Sequence, residues 1–284
     1  MHVSHQEFRE IQTLVRELCG LVLSDDKTYL VRTRLEPVVQ SHGCNGFSDY
    51  LGRVKQFDAR LMRDELVEAL TTGETSFNRD GHPFQEFRDR ILPALAATFA
   101  AQRESGVSRP VARLWSAGCS TGQEPYSLAI AIHEFVAANS AAQIEQFPIL
   151  ATDVCNASLR RASEGRFTQR EVDRGLAPEI CRRYFRPENE VWTANDALRK
   201  SIDFSRLNLI DRLPSLGPFA VIFCRNVLIY FDLPTRNRLC DQFHDLLQPS
   251  GLLVVGAAEN LIGVSTAFVS ERVGATTVYR KAAS

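Results

Sequence analysis

From residue 111 onward, short apolar runs alternate with helical stretches, and this alternation restricts the fold more than any other feature of the chain. Residues 111–117, 148–152, 219–224 and 252–256 read as strands, 276–280 can add a final one, and 124–138 reads as a helix. Strands this uniformly apolar are buried on both faces. Strands of that kind interleaved with helices imply an α/β fold, with a mostly parallel sheet covered on both sides.

The first 72 residues carry a different signal. Phe8, Ile11, Leu14, Val15 and Leu18 recur at three and four, the spacing that lines one helical face. Ser4 and Glu7 fit a capping box ahead of them, and Gly20 supplies a stop. A second helix is expected over 26–42 from Leu30, Val31, Leu35, Val38 and Val39, with a kink at Pro37. Ser48 can cap a third, and Leu61, Leu66 and Leu70 mark a fourth that ends at Gly73. A helical domain over 1–72 follows, then a linker helix over 73–110, bent or broken at Pro93, and a sheet domain over 111–284. Residues 165–204 are polar and Arg-rich, with Arg166, Arg170, Arg174, Arg182, Arg183 and Arg186 among Phe167, Tyr184, Phe185 and Trp192. They read as an insertion between sheet strands; the competing reading is a solvated surface segment.

Composition excludes several classes. Lys plus Arg is 33 and Asp plus Glu is 34, a net charge of −1, which argues against a general nucleic-acid binder. No apolar run reaches the roughly 18 residues of a membrane span, so no stable membrane insertion is expected. The first residues lack the basic and apolar regions of a secretory signal. Seven cysteines, an odd number with no C-x-x-C pair, speak against a disulfide framework or a structural zinc site. Reduced thiols in a cytoplasm are expected, no metal is implied, and His133 reads as a packing or surface residue rather than a ligand. With no heptad or long apolar patch, a monomer is expected.

In open parallel sheets, ligands bind beyond the carboxyl ends of the strands. After the first strand comes a turn with Gly118 and Gly122, which is not the G-x-G-x-x-G of a dinucleotide site. An NAD-dependent oxidoreductase is disfavoured on that ground. Glu124 near the following helix start would repel phosphate and suits a cationic nucleoside. Asp153 ends the second strand, 35 positions after Gly118, against roughly 20 in a compact dinucleotide unit. It can accept ribose hydroxyl protons, or serve only as a strand-end turn residue. Asn208, Leu209, Arg225 and Asn226 stand at further strand ends, where amides suit a purine edge. These features alone reach a nucleoside-binding α/β domain.

Longer motifs go further. Leu114-Trp-Ser-Ala-Gly-Cys-Ser-Thr-Gly-Gln-Glu-Pro-Tyr-Ser127, the Ala151-Thr-Asp153 strand end and Phe223-Cys-Arg-Asn-Val-Leu-Ile-Tyr-Phe-Asp232 closely resemble the chemotaxis receptor methyltransferase (CheR) family. So do Thr71-Thr-Gly-Glu-Thr-Ser-Phe-Asn-Arg-Asp80, Leu247-Gln-Pro-Ser-Gly-Leu-Leu253 and Ala258-Glu-Asn260. The resemblance spans essentially the whole chain. It implies a Rossmann-like sheet that binds S-adenosylmethionine (SAM), an all-helical N-terminal domain, and a small antiparallel β-subdomain inserted at 165–204. It further implies transfer of the SAM methyl group to glutamates on the cytoplasmic domains of chemoreceptors, giving glutamyl methyl esters and S-adenosylhomocysteine. Carried over motif by motif, SAM would be held by Gly73, Thr75, Arg79, Glu124, Asp153, Asn208, Leu209, Arg225 and Asn226, with Arg79 and Tyr230 nearest the methyl. The competing role for Arg79 is a structural ion pair. The competing reading of the whole is a non-catalytic SAM-binding docking module.

Two positions depart from the family pattern. Gly73 stands where many members have Asn, so one contact to SAM is absent or supplied by backbone. Asn78 follows Phe77 where two aromatics are usual, and either alters the methyl pocket or faces solvent. On the receptor side, Lys27 and Arg32 lie about 140° apart at 3.6 residues per turn and, with Arg34, make no tight basic stripe. Weak, salt-sensitive receptor contact is expected. The short stretch 184–204 suggests a member that does not tether to a receptor tail peptide.

Overall fold

The structure, a computed structural model, describes residues 1–282. Four helices form the N-terminal unit: α1 (His5–Cys19), α2 (Thr28–Ser41), α3 (Phe47–Val54) and α4 (Arg60–Leu70). The capping box forms as the sequence requires, with the Ser4 hydroxyl accepting from the Glu7 amide and the Glu7 carboxylate accepting from the Ser4 amide. Gly20 ends α1 in the left-handed region at φ 77°. Pro37 lies inside α2, which continues to Ser41. Phe8, Ile11, Val15, Val31, Leu35 and Leu66 bury into one cluster that belongs to this unit.

The linker holds α5 (His82–Glu86) and α6 (Leu92–Glu104), joined by a π-type turn at Phe87–Ile91. Pro93 therefore does not break the helix. It has no N–H for the carbonyl four residues back, and the widened turn just before it, in which the Leu92 amide bonds the Phe87 carbonyl, relieves that mismatch.

The chain then enters the sheet domain with β1 (Leu114–Ala117), α7 (Gln123–Ala138), β2 (Ile149–Asp153) and α8 (Asn156–Glu164). A small three-stranded antiparallel sheet follows, made of β3 (Arg166–Thr168), β4 (Phe185–Glu188) and β5 (Val191–Ala194) in the order β3-β5-β4. Short helices α9 (Gln169–Asp173), α10 (Pro178–Tyr184) and α11 (Asp196–Lys200) accompany it. The last residues of the 165–204 stretch belong elsewhere: β6 (Ile202–Arg206) pairs in parallel with β2 at the edge of the main sheet. Then come β7 (Phe219–Cys224), α12 (Leu233–Leu246), β8 (Leu247–Val255), β9 (Phe268–Val273) and β10 (Thr276–Lys281).

The main sheet runs β6-β2-β1-β7-β8-β10-β9. The first five strands are parallel, and the last two antiparallel. All six residues of β7 are buried, as expected for a central strand covered on both faces. Strand order reverses beside β1, with β2 on one side and β7 on the other, which is where open α/β sheets bind ligands.

Candidate active site

A cavity of about 330 Å³ opens at that reversal, the lower end of the size range of small-molecule sites. Gly73, Thr75, Arg79, Glu124, Asp153, Asn208, Leu209, Arg225, Asn226 and Tyr230 all line it. Residues from the linker and from the ends of β1, β2, β6 and β7 therefore meet in one place.

The turn after β1 is built around Asp153. One carboxylate oxygen accepts from the Ser120 amide at 2.8 Å and the other from the Cys155 amide at 2.9 Å. Asp153 is thus a turn residue and a cavity residue at once. Each oxygen keeps acceptor capacity beyond its backbone bond. Burial pushes its pKa above the ordinary 3.8, opposed by hydrogen bonds from the Cys155, Ser120 and Val154 backbone. Gly73 contributes its backbone: its carbonyl accepts from the Ser120 hydroxyl at 2.8 Å, clasping the linker onto the turn.

Glu124 lies in the first turn of α7, accepting from the Ser116 hydroxyl at 2.8 Å and facing the Arg225 guanidinium at 3.0 Å. Burial raises its pKa, opposed mainly by the Arg225 charge. The Arg225 side chain is 1% exposed and acts as a strut. Its second arm donates to the Asp80 carboxylate at 2.8 Å and to the Arg79 carbonyl at 2.7 Å. Its charge lies 5.0 Å over the Phe84 ring. Arg225 thereby fixes the turn that carries Arg79, and only its Nε is left without a partner.

Arg79 itself makes no ion pair among the described residues, and one of its five N–H groups donates to the Glu74 carbonyl at 2.8 Å. Tyr230 packs against the helical unit and holds it through its carbonyl, which accepts from the Val22 amide at 2.9 Å. Among the described residues its hydroxyl has no hydrogen-bond partner. The Asn208 amide donates to the Leu18 carbonyl at 2.8 Å, so this strand-end residue secures the C-terminal end of α1.

The donor set fits SAM better than a dinucleotide. Four carboxylates line the cavity, those of Glu68, Glu74, Glu124 and Asp153, the buried Arg225 is committed to acidic partners, and Glu124 opposes an anion at the N-terminus of α7. The Oδ1 atom of Asn226 is buried with no partner, an acceptor waiting for a ligand donor. Asp153 and Glu124 would take ribose hydroxyls and an ammonium group, and Leu207, Leu209, Val227 and Phe231 supply apolar walls.

Some lining residues are not expected at the site from the sequence. Cys19 and Leu21 come from the helical unit, and Glu68 and Thr71 from the end of α4. Asn78 neither reaches the cavity lining nor faces solvent freely. Its backbone lies at φ 48°, its amide N–H donates to the Ser127 hydroxyl, and its side chain donates to the Gly175 carbonyl at 2.8 Å. It is a brace to the inserted subdomain. Of the basic residues expected on the second helix, Arg34 is tied to the Thr71 carbonyl and the Thr72 hydroxyl, while Lys27 lies in the 3-10 turn before α2 and pairs with Asp26.

Comparison with known proteins gives one consistent result. A family model described as "CheR methyltransferase, SAM binding domain" matches residues 73–277, and one described as "CheR methyltransferase, all-alpha domain" matches residues 6–71. The chain is 36% identical over 262 residues to "Chemotaxis protein methyltransferase 1" of Pseudomonas aeruginosa, covering 92% of each chain. It is 35% identical over 279 residues to "Chemotaxis protein methyltransferase" of Vibrio parahaemolyticus, covering 98% of each. With "Chemotaxis protein methyltransferase" of Escherichia coli it shares 32% over 263 residues, 91% of this chain and 85% of that one.

Proposed function

The chain belongs to the CheR methyltransferase family, and from that premise we propose that this SAM-dependent methyltransferase esterifies glutamate side chains on the cytoplasmic domains of chemoreceptors. Among the described residues no helix is long and apolar enough to cross a membrane, and the acceptor is reached from the receptor's cytoplasmic side. When bound, SAM supplies a methyl group on a cationic sulfur and leaves as the neutral thioether S-adenosylhomocysteine.

A glutamate carboxyl has a free pKa of about 4.3 and is ionised near pH 7. It needs no general base, which agrees with a site built from hydrogen-bond donors on the acceptor side. The observation that carries this reading is the state of Arg79 and Tyr230. Both line the cavity, and both keep donors that no protein group uses. Arg79 binds one oxygen of the incoming carboxylate through its fork and leaves the other free to attack. Tyr230 orients the carboxylate with a second bond. Glu124, Asp153 and Asn226 hold the nucleoside and amino-acid ends of the cofactor. Opposite charges neutralise along the reaction, so the apolar walls favour it over water, where both charges are better solvated. Orientation is the chain's main contribution to rate.

Incubation with methyl-labelled SAM and a chemoreceptor cytoplasmic fragment tests the proposal. Base-labile label on glutamate is the expected result. Cofactor binding without transfer would identify a docking module instead. Arg79→Ala should lower kcat/KM by roughly 10²-fold, the scale of losing one charge-directed donor. Unchanged transfer by a folded variant removes Arg79 from the reaction.

A further inference from the structure

Glu259 lies in the loop after β8 and is not among the cavity-lining residues. Its carboxylate spans the ends of two neighbouring strands. One oxygen accepts from the Gly256 amide at 2.7 Å and from the Asn226 amide at 2.7 Å. The other accepts from the Ile229 amide at 3.1 Å. Three backbone N–H groups therefore converge on one carboxylate, and two of them belong to the segment that runs from Asn226 to Tyr230. That segment is unusual, since Asn226 is held in the left-handed region at φ 59°. A non-glycine residue in that conformation needs surrounding structure to hold it there.

Gly256 supplies the space. A Cβ at this position would lie 2.7 Å from the Glu259 carboxylate and 2.8 Å from the Asn226 amide. The glycine lets a side chain from the end of β8 reach backbone at the end of β7. Glu259 has no ion-pair partner among the described residues, so its charge is met by these oriented amides. Charge-assisted bonds of this kind are roughly twice as strong as neutral ones.

Resting on the methyltransferase reading above, we propose that Glu259 is a positioning residue for methyl transfer. It fixes the 226–230 segment so that Asn226 faces the cofactor and Tyr230 meets the acceptor carboxylate. It acts through Tyr230 and touches neither substrate. An amide in its place keeps the shape but loses one acceptor. A glutamine oxygen can serve either the Gly256 and Asn226 pair or Ile229, and its NH₂ group then confronts a donor.

The test compares Glu259→Gln, Tyr230→Phe and the double variant in transfer from methyl-labelled SAM to a chemoreceptor cytoplasmic fragment. Hydrogen exchange of the amides is read alongside. The expected result is a tenfold or larger fall in kcat for Glu259→Gln with an acceptor KM changed less than threefold. The double variant should be no slower than the slower of the two single variants, because both changes disable one device. Exchange at the Asn226 and Ile229 amides should speed up while β7 stays protected. Independent, multiplying effects on kcat, or unchanged exchange at those two amides, would overturn the proposal. Loss of folding in Glu259→Gln would overturn it too, by making the carboxylate a determinant of the fold. Titration with S-adenosylhomocysteine keeps this separate from the reading it rests on. A wild-type chain that binds it but methylates no receptor fragment fails the proposed function, while the exchange measurement still decides the role of Glu259.

Discussion

Asp153 and Glu124 are both raised in pKa by burial, and this sets a sign for the pH dependence of the site. A buried carboxyl with a raised pKa favours its protonated form in the folded chain. The cost of ionising it builds as pH rises from the ordinary value to the raised one and is complete above the raised one. A ligand that brings hydroxyl donors and an ammonium group binds the ionised forms, so it recovers part of that cost. Affinity for S-adenosylhomocysteine is therefore highest above the raised values and falls as pH drops through them. The fall begins above the ordinary 3.8 and 4.5 of these groups. Calorimetric titration across that range should show it, approaching a tenfold loss per pH unit for each group protonated. Asp153→Asn should bind at least about tenfold more weakly, about 1.4 kcal/mol, with a flatter pH profile. A variant that keeps the wild-type profile assigns the dependence elsewhere.

At the scale of elements, the C-terminal end of α1 is where the two units are fastened. Gly20 sits at φ 77°, and a Cβ there would lie 2.4 Å from Ile210 and 2.9 Å from Phe231. Gly20→Ala should cost about 1–2 kcal/mol for the left-handed backbone and about 1–3 kcal/mol more for overpacking. A urea unfolding curve measures this. Because Cys19 and Leu21 on either side line the cavity, cofactor affinity should fall with it. Wild-type stability would show that the two units are not seated on each other here. This fastening also marks the limit of what the sequence discloses. The α1 capping box, the apolar run of β7 and the turn after β1 are local patterns, and each is legible. Asn208 reads as a purine-edge residue because strand ends host ligands. Besides lining the cavity, its amide reaches Leu18, 190 positions away, a contact that no local pattern encodes. The Ala258-Glu-Asn260 motif marks Glu259, but its partners are hidden for the same reason, since they depend on β8 lying beside β7. The turn before Pro93 is a milder case: proline marks a disturbance, while the packing of Phe87 and Ile91 decides that the helix continues.

The whole molecule has a helical core of its own and two further apolar clusters in the sheet domain. The cavity lies between the units, with Cys19, Leu21, Glu68 and Thr71 on one side and strand ends on the other. Ion pairs and hydrogen bonds cross the same boundary, among them Arg16 with Asp232 and Arg206 with Asp64. A ligand in the cavity is therefore bound by both units and should stabilise both. At about one hundred times its Kd, S-adenosylhomocysteine should add roughly 2.7 kcal/mol to the stability of whatever unfolds with the site. The chain offers two separable signals. Both tryptophans, Trp115 and Trp192, lie after residue 72, so their fluorescence follows the sheet domain alone. Circular dichroism at 222 nm also follows α1 to α4. With ligand, the two melting midpoints should rise together and by the same amount. If only the fluorescence midpoint rose, and part of the helical signal still melted at the unliganded temperature, the helical unit would be no wall of the cofactor site. Equal shifts would instead mean that cofactor occupancy controls how firmly the helical domain is seated beside Tyr230, where the acceptor must enter.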